Sequence, residues 1–250
     1  MTESYKDRIK KFAGILTCGN ALFFGGAGVS TESGLKDFRS QDGIYNTVKE
    51  YGIPPEQILS RDFFNTNPGV FYDFYYKYFL DCSALPNDAH ISLAKLEKKG
   101  LLKSVITQNI DGLHSAAGSK TVRELHGATE RYFCPRCKSG FAKASVAALK
   151  GKIPYCEKCG SVIETAVTLY GDMLDDDTVK AAIKDIKTAD TLIVGGTSLT
   201  VYPAAGFIQY FRGTNLILIN RAETEIDSAA DIVFHESIGK VLKDTLSELS

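Results

Sequence analysis

The sequence predicts an α/β fold with a doubly wound parallel sheet, a small metal-binding module and a helical insert. Three observations lead to this prediction: short apolar runs alternate with helical patterns, a glycine-rich turn follows the first apolar run, and four cysteines stand in two close pairs. The chain has 250 residues, of which 44% are apolar, and this suffices for the core of one large domain with inserts.

The predicted elements alternate between helix and strand along the chain. Apolar residues recur at helical spacing from Ile9 to Leu16, which predicts a helix within residues 4–18. The apolar run 21–24 follows as a short strand that ends at a glycine cluster. Such an alternation is typical of a parallel sheet with helices on both faces. The further strands are predicted at 104–107, 191–195, 216–220 and 231–234, and the further helices at 90–99 and 178–186.

Two stretches interrupt this alternation. Residues 41–89 contain four prolines and the aromatic run FYDFYYKYF without strand signals, which predicts a helical insert. Residues 131–164 contain the paired cysteines. The predicted division of the chain is a large domain (1–40, 101–130 and 165–250), a helical module (41–100) and a cysteine module (131–164).

The cysteine pairs indicate a zinc site. Cys134 and Cys137 form one pair and Cys156 and Cys159 the other, with 18 residues between the pairs. Each pair can bind one zinc ion through two thiolates, and together they complete a tetrahedral shell of four sulfurs. Because a closed shell leaves no position for a substrate, we expect one structural zinc ion and chemistry elsewhere in the chain. The two other cysteines lie in apolar segments, which favours reduced thiols over disulfides.

The charge pattern argues against a charged macromolecular surface. The chain has 29 basic and 30 acidic residues, a net charge of −1, so its bulk electrostatics do not favour nucleic acid or an anionic membrane. The N-terminal segment MTESYKDRIKKFAG is charged, and no run approaches the roughly 18 apolar residues of a membrane span. We therefore expect a cytoplasmic protein without direct nucleic-acid or membrane partners, and we take a monomer as its expected oligomeric state.

The turn GGAGVS after the first predicted strand is a candidate phosphate cradle. Backbone N–H groups are free at such a turn, and the serine and threonine that follow can cap a helix. An ordinary strand-to-helix turn is the alternative. The usual dinucleotide fingerprint needs a third glycine, but Thr31 stands at that position. It also needs a second strand with an acidic residue about 20 residues further on to bind a ribose, and no clear second strand of this kind is present. A plain dehydrogenase is therefore disfavoured.

Polar side chains also follow the later predicted strands. Gln108, Asn109 and Asp111 come directly after the strand at 104–107, at the carboxyl edge where ligands bind in such folds. They could orient a carboxamide and a ribose, or Asn109 and Asp111 could simply cap a helix. The segments GTSLTVYPAA and NRAE follow two other strands and suit phosphate or ribose contacts as well as ordinary loop caps. Their shared edge favours a ligand site.

His126 is the candidate acid or base. It lies in VRELHGA, a short predicted strand followed by a glycine that permits close backbone approach. A lone histidine is usually structural, but an imidazole titrates near neutrality and can serve as a general base for a hydroxyl. His90, His114 and His235 have weaker claims, and His114 is expected to pack under the loop that carries Asp111.

A series of motifs runs along the chain: GAGVSTESGLKDFRS, TQNIDGLH, ELHGA, CPRC with YCEKCG, YGDML, GTSLTVYPAA and INRAE. In this order they resemble the sirtuins, the NAD-dependent protein-lysine deacylases, in a short bacterial-type form. The resemblance extends over about residues 20–240. It implies a large Rossmann-like domain, a small zinc module beside a helical module, and a cleft between them in which NAD and an acyl-lysine meet.

The resemblance also implies roles for the matched positions. His126 would be the catalytic base, with Asn109 and Asp111 as the other catalytic residues. The peptide would bind by strand addition. The implied peptide contacts are Val167, Leu169, Tyr170, Gly171 and Val201. The implied NAD contacts are Gly26, Ala27, Gly28, Ser30, Ser33, Asp37, Phe38, Arg39, Gln108, Asn109, Ile110, Asp111, His126, Gly196, Thr197, Ser198, Asn220, Arg221 and Ile238.

The implied reaction consumes NAD as a co-substrate. The acyl oxygen of an acetyl-lysine protein or peptide attacks the ribose carbon as nicotinamide leaves, and an imidazole then takes a proton from a ribose hydroxyl. The products are nicotinamide, O-acetyl-ADP-ribose and free lysine. A mono-ADP-ribosyltransferase that uses the same cleft is the alternative, and a non-enzymatic NAD or peptide sensor is a third hypothesis.

Departures from the family pattern bear on specificity. Lys36 replaces a proline in the loop over NAD, which relaxes that loop. Glu164 and Thr165 replace the usual arginine–proline pair, and YGD replaces FGE in the peptide segment. Tyr75 stands three residues after Tyr72, where members that remove acidic acyl groups carry arginine. We expect a neutral acyl group, acetyl first, because an unpaired carboxylate in that pocket would be costly.

Overall fold

Short strands and amphipathic helices alternate through most of the described chain, as the apolar periodicity predicts. The computed structural model describes residues 3–36, 50–80 and 84–249. Asp37, Phe38 and Arg39 lie outside the described residues, and so does Cys82, one of the two cysteines outside the pairs. The strands are β1 (Ala21–Gly25), β2 (Leu102–Thr107), β3 (Val122–Glu124), β4 (Gly127–Phe133), β5 (Gly140–Ala142), β6 (Glu164–Val167), β7 (Thr191–Gly195), β8 (Asn215–Ile219) and β9 (Ile232–Phe234). The helices are α1 (Tyr5–Leu16), α2 (Pro55–Ile58), α3 (Arg61–Thr66), α4 (Pro68–Tyr75), α5 (Asp88–Lys98), α6 (Leu113–Ala116), α7 (Lys143–Ala147), α8 (Asp176–Thr188) and α9 (Ile238–Glu248).

Polar caps begin two of the predicted helices. The Ser4 hydroxyl accepts a hydrogen bond from the backbone N–H of Asp7 at 3.2 Å, at the start of α1. Asp175 accepts in the same way from the N–H of Thr178 at 2.8 Å, at the start of α8. Each cap satisfies one of the N–H groups that a helix leaves unpaired in its first turn. Helix α8 therefore begins two residues before the predicted start.

Six strands form one parallel sheet in the order β3-β2-β1-β7-β8-β9. From β1 the chain moves to one side of the sheet, and it returns to β7 on the other side of β1. The carboxyl ends of β1 and β7 are therefore the point at which the strand order reverses, and Gly25 is paired with Gly195 there. Parallel sheets of this kind bind ligands in the crevice at that point.

Both faces of the sheet are covered by helices. Every residue of β1 is buried, and successive side chains alternate between two apolar clusters. Phe23 belongs to the cluster that includes residues of α1, α5 and α9. Leu22 and Phe24 belong to the cluster that includes residues of α8. The result is the predicted arrangement of a sheet between two helical layers.

A second lobe combines the helical insert with the cysteine module. Strands β5, β4 and β6 form a small antiparallel sheet, in that order. The aromatic run of α4 continues into a π-helical segment, Tyr76–Leu80. Phe71, Tyr72 and Tyr75 from this run share one buried cluster with Tyr132 of the small sheet. The two predicted modules therefore share one hydrophobic core.

The packing of α5 differs from the predicted limits of the helical module. Leu93 and Leu96 of this helix are fully buried in the cluster on the large sheet. Asp88–Lys98 therefore belongs to the large domain by its contacts, although the predicted module 41–100 includes it. An amphipathic helix shows which face is buried but not which neighbour covers that face. The other limits stay predictions.

The connection that carries His126 is shaped by the glycine after it. Strand β3 ends at Glu124 and β4 begins at Gly127, so His126 lies between two strands and not within one. Gly127 has a φ of +74°, and a Cβ there would lie 1.8 Å from the carbonyl oxygen of Ala166. A side chain at this position would separate β4 from β6, which is paired with it.

No helix within the three described ranges is long and apolar enough to cross a membrane. The cytoplasmic location and the monomeric state stay predictions.

Gly127→Ala should destabilise the fold much more than Gly100→Ala. Gly100 has the same φ of +74° but open space around it. Alanine there should therefore lower the free energy of unfolding only by the strain of the left-handed conformation, roughly 1–2 kcal/mol. Gly127→Ala adds a backbone clash, and we expect a total loss of about 3 kcal/mol or more in the free energy of unfolding. Urea denaturation of both variants measures the difference, and equal losses would contradict this account of β4 and β6.

Candidate functional site

A cleft of about 720 Å³ opens at the carboxyl end of the large sheet. Its lining comes from the turns after β1, β2, β7 and β8, from the loop after β6 and from the helical part of the second lobe. Sites for small molecules and cofactors usually have volumes of about 300–1,000 Å³. The cleft therefore has a suitable size and lies at the position that the strand order favours.

Two of the lining turns meet backbone to backbone. The N–H of Gly28 donates to the carbonyl of Gly196 at 2.8 Å. A Cβ on Gly28 would lie 2.8 Å from the Cα of Gly196, and a Cβ on Gly196 would lie 2.5 Å from the nitrogen of Val29. Any side chain at either glycine would push the turns after β1 and β7 apart. The contact therefore explains why glycine stands at positions 28 and 196.

The turn after β1 continues into two short 3₁₀ helices, Ala27–Val29 and Thr31–Ser33. Gly34, with a φ of +82°, ends the second of them. Ser30 lies between the two and is 3% exposed. Its side chain makes no capping hydrogen bond for the helix that follows. The serine is instead a partner for the segment after β2.

A chain of hydrogen bonds joins Ser30 to that segment. The Ser30 hydroxyl donates to Asp111 Oδ2 at 2.7 Å, and Asn109 Nδ2 donates to the Ser30 oxygen at 3.1 Å. Asp111 Oδ1 accepts from the N–H of Leu113 at 2.9 Å and so caps α6. This contact at the start of α6 agrees with the helix-cap alternative for Asp111, whereas Asp111 does not line the cleft and its contact with a ligand stays a prediction. Asn109 lines the cleft directly.

The Gln108 carbonyl fixes the ring of His126. His126 Nδ1 lies 2.8 Å from this oxygen, and both residues line the cleft. Since a carbonyl oxygen only accepts hydrogen bonds, Nδ1 carries the proton of the neutral ring and Nε2 keeps a lone pair. The His126 carbonyl in turn accepts from the N–H of Thr168 at 2.9 Å, which ties the imidazole to the loop after β6.

Burial lowers the pKa of His126 below its usual 6.5, although the hydrogen bond to Gln108 acts in the opposite direction. The ring is therefore mainly neutral at pH 7. A neutral imidazole with one fixed N–H and one free lone pair is suited to take a proton from a group in the cleft.

The other histidines are less suited to this role. His90 and His114 are buried, with ring centroids 4.6 Å apart, and His114 packs close to Phe23 of the sheet. Burial lowers the pKa of His114 to about 3. His235 hydrogen-bonds the Asn220 carbonyl through Nδ1 at 2.9 Å. None of the three lines the cleft that the described residues form.

The second lobe contributes an aromatic part of the lining, in which sequence reasoning had placed Tyr75 but had missed Phe79. Tyr75 and Phe79 stand four residues apart and both line the cleft. Their rings stack with centroids 5.2 Å apart. The Tyr75 hydroxyl lies 2.8 Å from Thr165 Oγ1, so its polar end already has a partner. The i, i+4 spacing within FYDFYYKYF was the available signal for a shared face.

The cleft brings together most of the predicted site residues. Those that line it are Ala27, Gly28, Gln108, Asn109, Ile110, His126, Val167, Leu169, Tyr170, Gly171, Gly196, Thr197, Ser198, Val201 and Asn220. The described residues that were predicted but do not line it are Gly26, Ser30, Ser33, Asp111, Arg221 and Ile238. Tyr75, which was expected beside the acyl group, also lines the cleft. The lining residues without a predicted role are Leu59, Phe79, Thr168, Asp172, Met173, Leu174, Asp176, Val179, Tyr202, Pro203 and Phe207.

The residues that do not line the cleft have other contacts. Ser33 accepts a hydrogen bond from Asn87 Nδ2 at 2.9 Å. Ile238 is buried in the core on the large sheet. Arg221 lies 3.8 Å from the carboxylate of Glu32. The order of motifs along the sequence does not show which residues face the cleft and which ones hold those residues in place.

The four paired cysteines form one compact cluster. Their sulfur atoms all lie within 4.8 Å of one another. The closest approaches are 3.3 Å between Cys134 and Cys159 and 3.5 Å between Cys137 and Cys156. Four thiolates at this separation suit a tetrahedral zinc ion, and a shell of four protein sulfurs is closed to substrate. None of the four lines the cleft, so the cluster fits one structural ion.

The comparisons with known proteins agree with this geometry. Residues 26–203 match the model of the Sir2 family. The chain is 51% identical to the NAD-dependent protein deacetylase of Clostridium perfringens (strain 13 / Type A) over 94% of its own length and 97% of that protein.

The chain belongs to the Sir2 family. Two solved Sir2 structures share its fold. One contains a p53 peptide and NAD⁺ and matches with a TM-score of 0.83 and 36% identity, over 96% of this chain and 98% of the other. The second is a Sir2 variant with a deacetylated p53 peptide and 3′-O-acetyl ADP ribose, with a TM-score of 0.86, 36% identity and the same two coverages. As in other Sir2 proteins, NAD is the expected co-substrate of the cleft.

Loss of one cysteine should remove the metal and unfold the second lobe. We expect one zinc per chain by elemental mass spectrometry, and none in Cys134→Ser. Since Cys134 is fully buried and structural zinc contributes on the order of 10 kcal/mol in small zinc domains, we expect a large drop in melting temperature. Cys18→Ser is the matched control, because Cys18 is exposed and outside the cluster. A Cys134→Ser protein that kept full zinc would contradict the assignment.

The His126 ring should titrate below pH 6.5 with its proton on Nδ1. Nitrogen-15 chemical shifts of labelled histidine distinguish the two tautomers, with His126→Gln to assign the signal. As pH falls through the lowered pKa, the ring gains a second proton and its lone pair is lost, so any step that needs this base slows toward acid. A ring already charged at pH 7, or protonated on Nε2 alone, would contradict the geometry.

Proposed function

We propose that this chain is an NAD-dependent protein-lysine deacetylase that acts on neutral acyl groups and releases nicotinamide, O-acetyl-ADP-ribose and free lysine. The observation that carries this proposal is His126, a neutral imidazole with a free Nε2, in the same cleft as the glycine turns and Asn109. The clostridial relative named above is an NAD-dependent protein deacetylase and aligns along nearly the whole chain.

The turns at the carboxyl end of the sheet suit a dinucleotide. Gly28 and Gly196 bring backbone close to the ligand space without side chains, and Thr197 and Ser198 add hydroxyl groups beside them. Asn220 follows the neighbouring strand β8 and lines the same space. These groups would bind the phosphates and the adenosine ribose. NAD would supply the sugar carbon to which the acyl oxygen becomes attached as nicotinamide leaves.

Asn109 would orient the nicotinamide end. Its side-chain amide is held by Ser30, and Ser30 is held by Asp111, so the amide has a fixed direction before any ligand binds. Fixed polar groups lower the cost of ordering the reactants. The role of Asp111 in this proposal is to hold Ser30 and α6, since its own carboxylate is engaged by both.

His126 would take the proton from a ribose hydroxyl of the sugar. Its Nε2 is the acceptor because Nδ1 is committed to the Gln108 carbonyl. The deprotonated hydroxyl then closes onto the former amide carbon, and lysine departs. The apolar surroundings that lower the pKa of the ring also keep it unprotonated at neutral pH.

The acyl-lysine peptide would bind along the loop after β6 and the turn that contains Val201. Backbone groups of extended segments in such loops can pair with an added strand. The acyl group would meet Leu59, Tyr75, Phe79 and Ile110, which are apolar or aromatic. Among the described residues that line the cleft there is no lysine or arginine, so a carboxylate on the acyl chain would be unpaired and costly.

Mono-ADP-ribosyl transfer would use the same cleft and stays the alternative. One of the departures that kept it open has a structural partner, because Glu164 forms an ion pair with Arg61 at 2.8 Å. A cytoplasmic monomer remains our expectation for the protein in the cell.

Zinc-loaded protein under reducing conditions should deacetylate an acetyl-lysine peptide only when NAD is present, with one nicotinamide released per lysine freed. A succinyl-lysine peptide of the same sequence should react at least about 100-fold more slowly, because its carboxylate meets no cation. His126→Ala should lower kcat by about 10²–10⁴-fold while zinc content and melting temperature are retained.

Adenine-labelled NAD separates the two candidate activities. Deacetylation puts the label into a small molecule, whereas mono-ADP-ribosyl transfer leaves it on a protein. Label on protein at a stoichiometry that matches nicotinamide release would overturn the deacetylase proposal, as would full activity in His126→Ala.

A further inference from the structure

We propose that Arg61 is a positioning residue that holds the Leu169–Asp172 turn in the shape that receives the substrate peptide. This inference rests on the proposed function, because it concerns the peptide side of the same cleft. Arg61 begins α3 in the second lobe and does not itself line the cleft. Its partners connect three separate segments of the chain.

The Leu169–Asp172 turn is closed by its own hydrogen bonds. The N–H of Asp172 donates to the Leu169 carbonyl at 2.9 Å, and the N–H of Leu169 donates to Asp172 Oδ2 at 3.1 Å. Gly171 has a φ of +94°, which a residue with a side chain would adopt only with strain. All four residues of the turn line the cleft. The Asp172 side chain therefore controls the shape of this part of the lining.

The turn is also paired with the start of α3. Tyr170 and Ser60 form a parallel β-bridge. The N–H of Tyr170 donates to the Leu59 carbonyl at 3.0 Å, and the N–H of Arg61 donates to the Tyr170 carbonyl at 2.9 Å. The outer edge of the turn is occupied by these bonds, so a peptide can pair only with its cleft side.

Arg61 supports this pairing through its side chain. Its Nε and Nη2 donate to the two oxygens of Asp172, both at 2.9 Å, and its Nη1 donates to Glu164 at 2.8 Å. The three side chains are only 15–29% exposed. Burial alone would raise the pKa of Asp172, but the hydrogen bonds from Arg61 and from the Leu169 N–H bring the net pKa below its usual value. A planar guanidinium fork can hold two carboxylates in this way, and an ammonium cannot.

This cluster also accounts for the departure at positions 164 and 165. Glu164 pairs with Arg61, and Thr165 Oγ1 lies 2.8 Å from the hydroxyl of Tyr75. Both residues at the start of β6 are therefore held by side chains of the helical insert, from α3 and α4 respectively. In this chain the acidic residue at 164 completes an ion-pair cluster whose other carboxylate shapes the peptide side.

The two substrates would therefore contact different parts of the cleft lining. Arg61 and its partners contact the peptide side, whereas the NAD side consists of the turns after β1, β2, β7 and β8. Loss of the fork should loosen the Leu169–Asp172 turn and leave the glycine contact between β1 and β7 intact. Peptide binding should weaken while NAD binding stays the same.

Arg61→Lys tests this inference because it keeps the charge and removes the fork. We expect the KM for an acetyl-lysine peptide to rise about tenfold, while the KM for NAD and kcat change less than about twofold. Isothermal titration with the peptide should show the same loss of affinity. Arg123→Lys is the matched control, since Arg123 pairs with Asp185 at 3.1 Å with 34% and 11% exposure and does not line the cleft.

Asp172→Asn provides an independent route to the same effect. It should raise the peptide KM to a similar extent, and the effects in the double variant with Arg61→Lys should be clearly less than additive, because both changes remove the Arg61–Asp172 ion pair. If Arg61→Lys does not fold, which its melting temperature shows, Asp172→Asn alone gives the readout.

The inference is overturned if the peptide KM is unchanged in both single variants, if the KM for NAD rises equally, or if the two effects add. It is also overturned if Arg123→Lys has the same effect. Deacetylation by the wild-type protein is measured first. If that activity is absent, the proposed function fails, whereas a wild-type enzyme with insensitive variants contradicts only the role of Arg61.

Discussion

The cleft depends on the backbone contact between Gly28 and Gly196. These residues follow β1 and β7, the central strands at which the strand order reverses, and chains that leave such strands diverge to opposite sides of the sheet. Here the two turns are joined by a hydrogen bond of 2.8 Å and approach too closely for any Cβ. The same absence of side chains leaves space at the sheet edge, so one constraint both joins the turns and opens the ligand site.

The second lobe completes the lining of the cleft, which the large sheet forms only in part. Its core combines the aromatic residues of α4 with the small sheet and with two buried cysteines of the metal cluster. A structural zinc ion bound by this cluster would add to the stability of the shared core. The lobe then presents Tyr75 and Phe79 to the cleft and, through Arg61, supports the Leu169–Asp172 turn. A metal ion at this cluster would therefore affect the chemistry only through the shape of the lobe.

His126 shows how position determines the chemistry of one residue type. Four histidines are present in the chain. His114 is so buried that its pKa falls to about 3, and its ring packs against that of His90. His126 is buried less completely, faces a ligand space and has one nitrogen committed to a carbonyl. Only the second environment provides both a neutral ring and an accessible lone pair.

The sequence by itself determined the fold class, the central strands, the zinc cluster and the segments that meet at the sheet edge. These follow from local rules: apolar periodicity, paired cysteines, and the fact that parallel strands share one carboxyl edge. Only the tertiary structure decided that α5 packs on the sheet, that Ser30 and Asp111 hold the side chain of Asn109 without lining the cleft, and that Phe79 lines the cleft beside Tyr75. It also decided that Glu164 is the partner of Arg61. Residues 103 positions apart meet in that pair, and no local pattern encodes such a contact, because it depends on how two separately formed elements pack together.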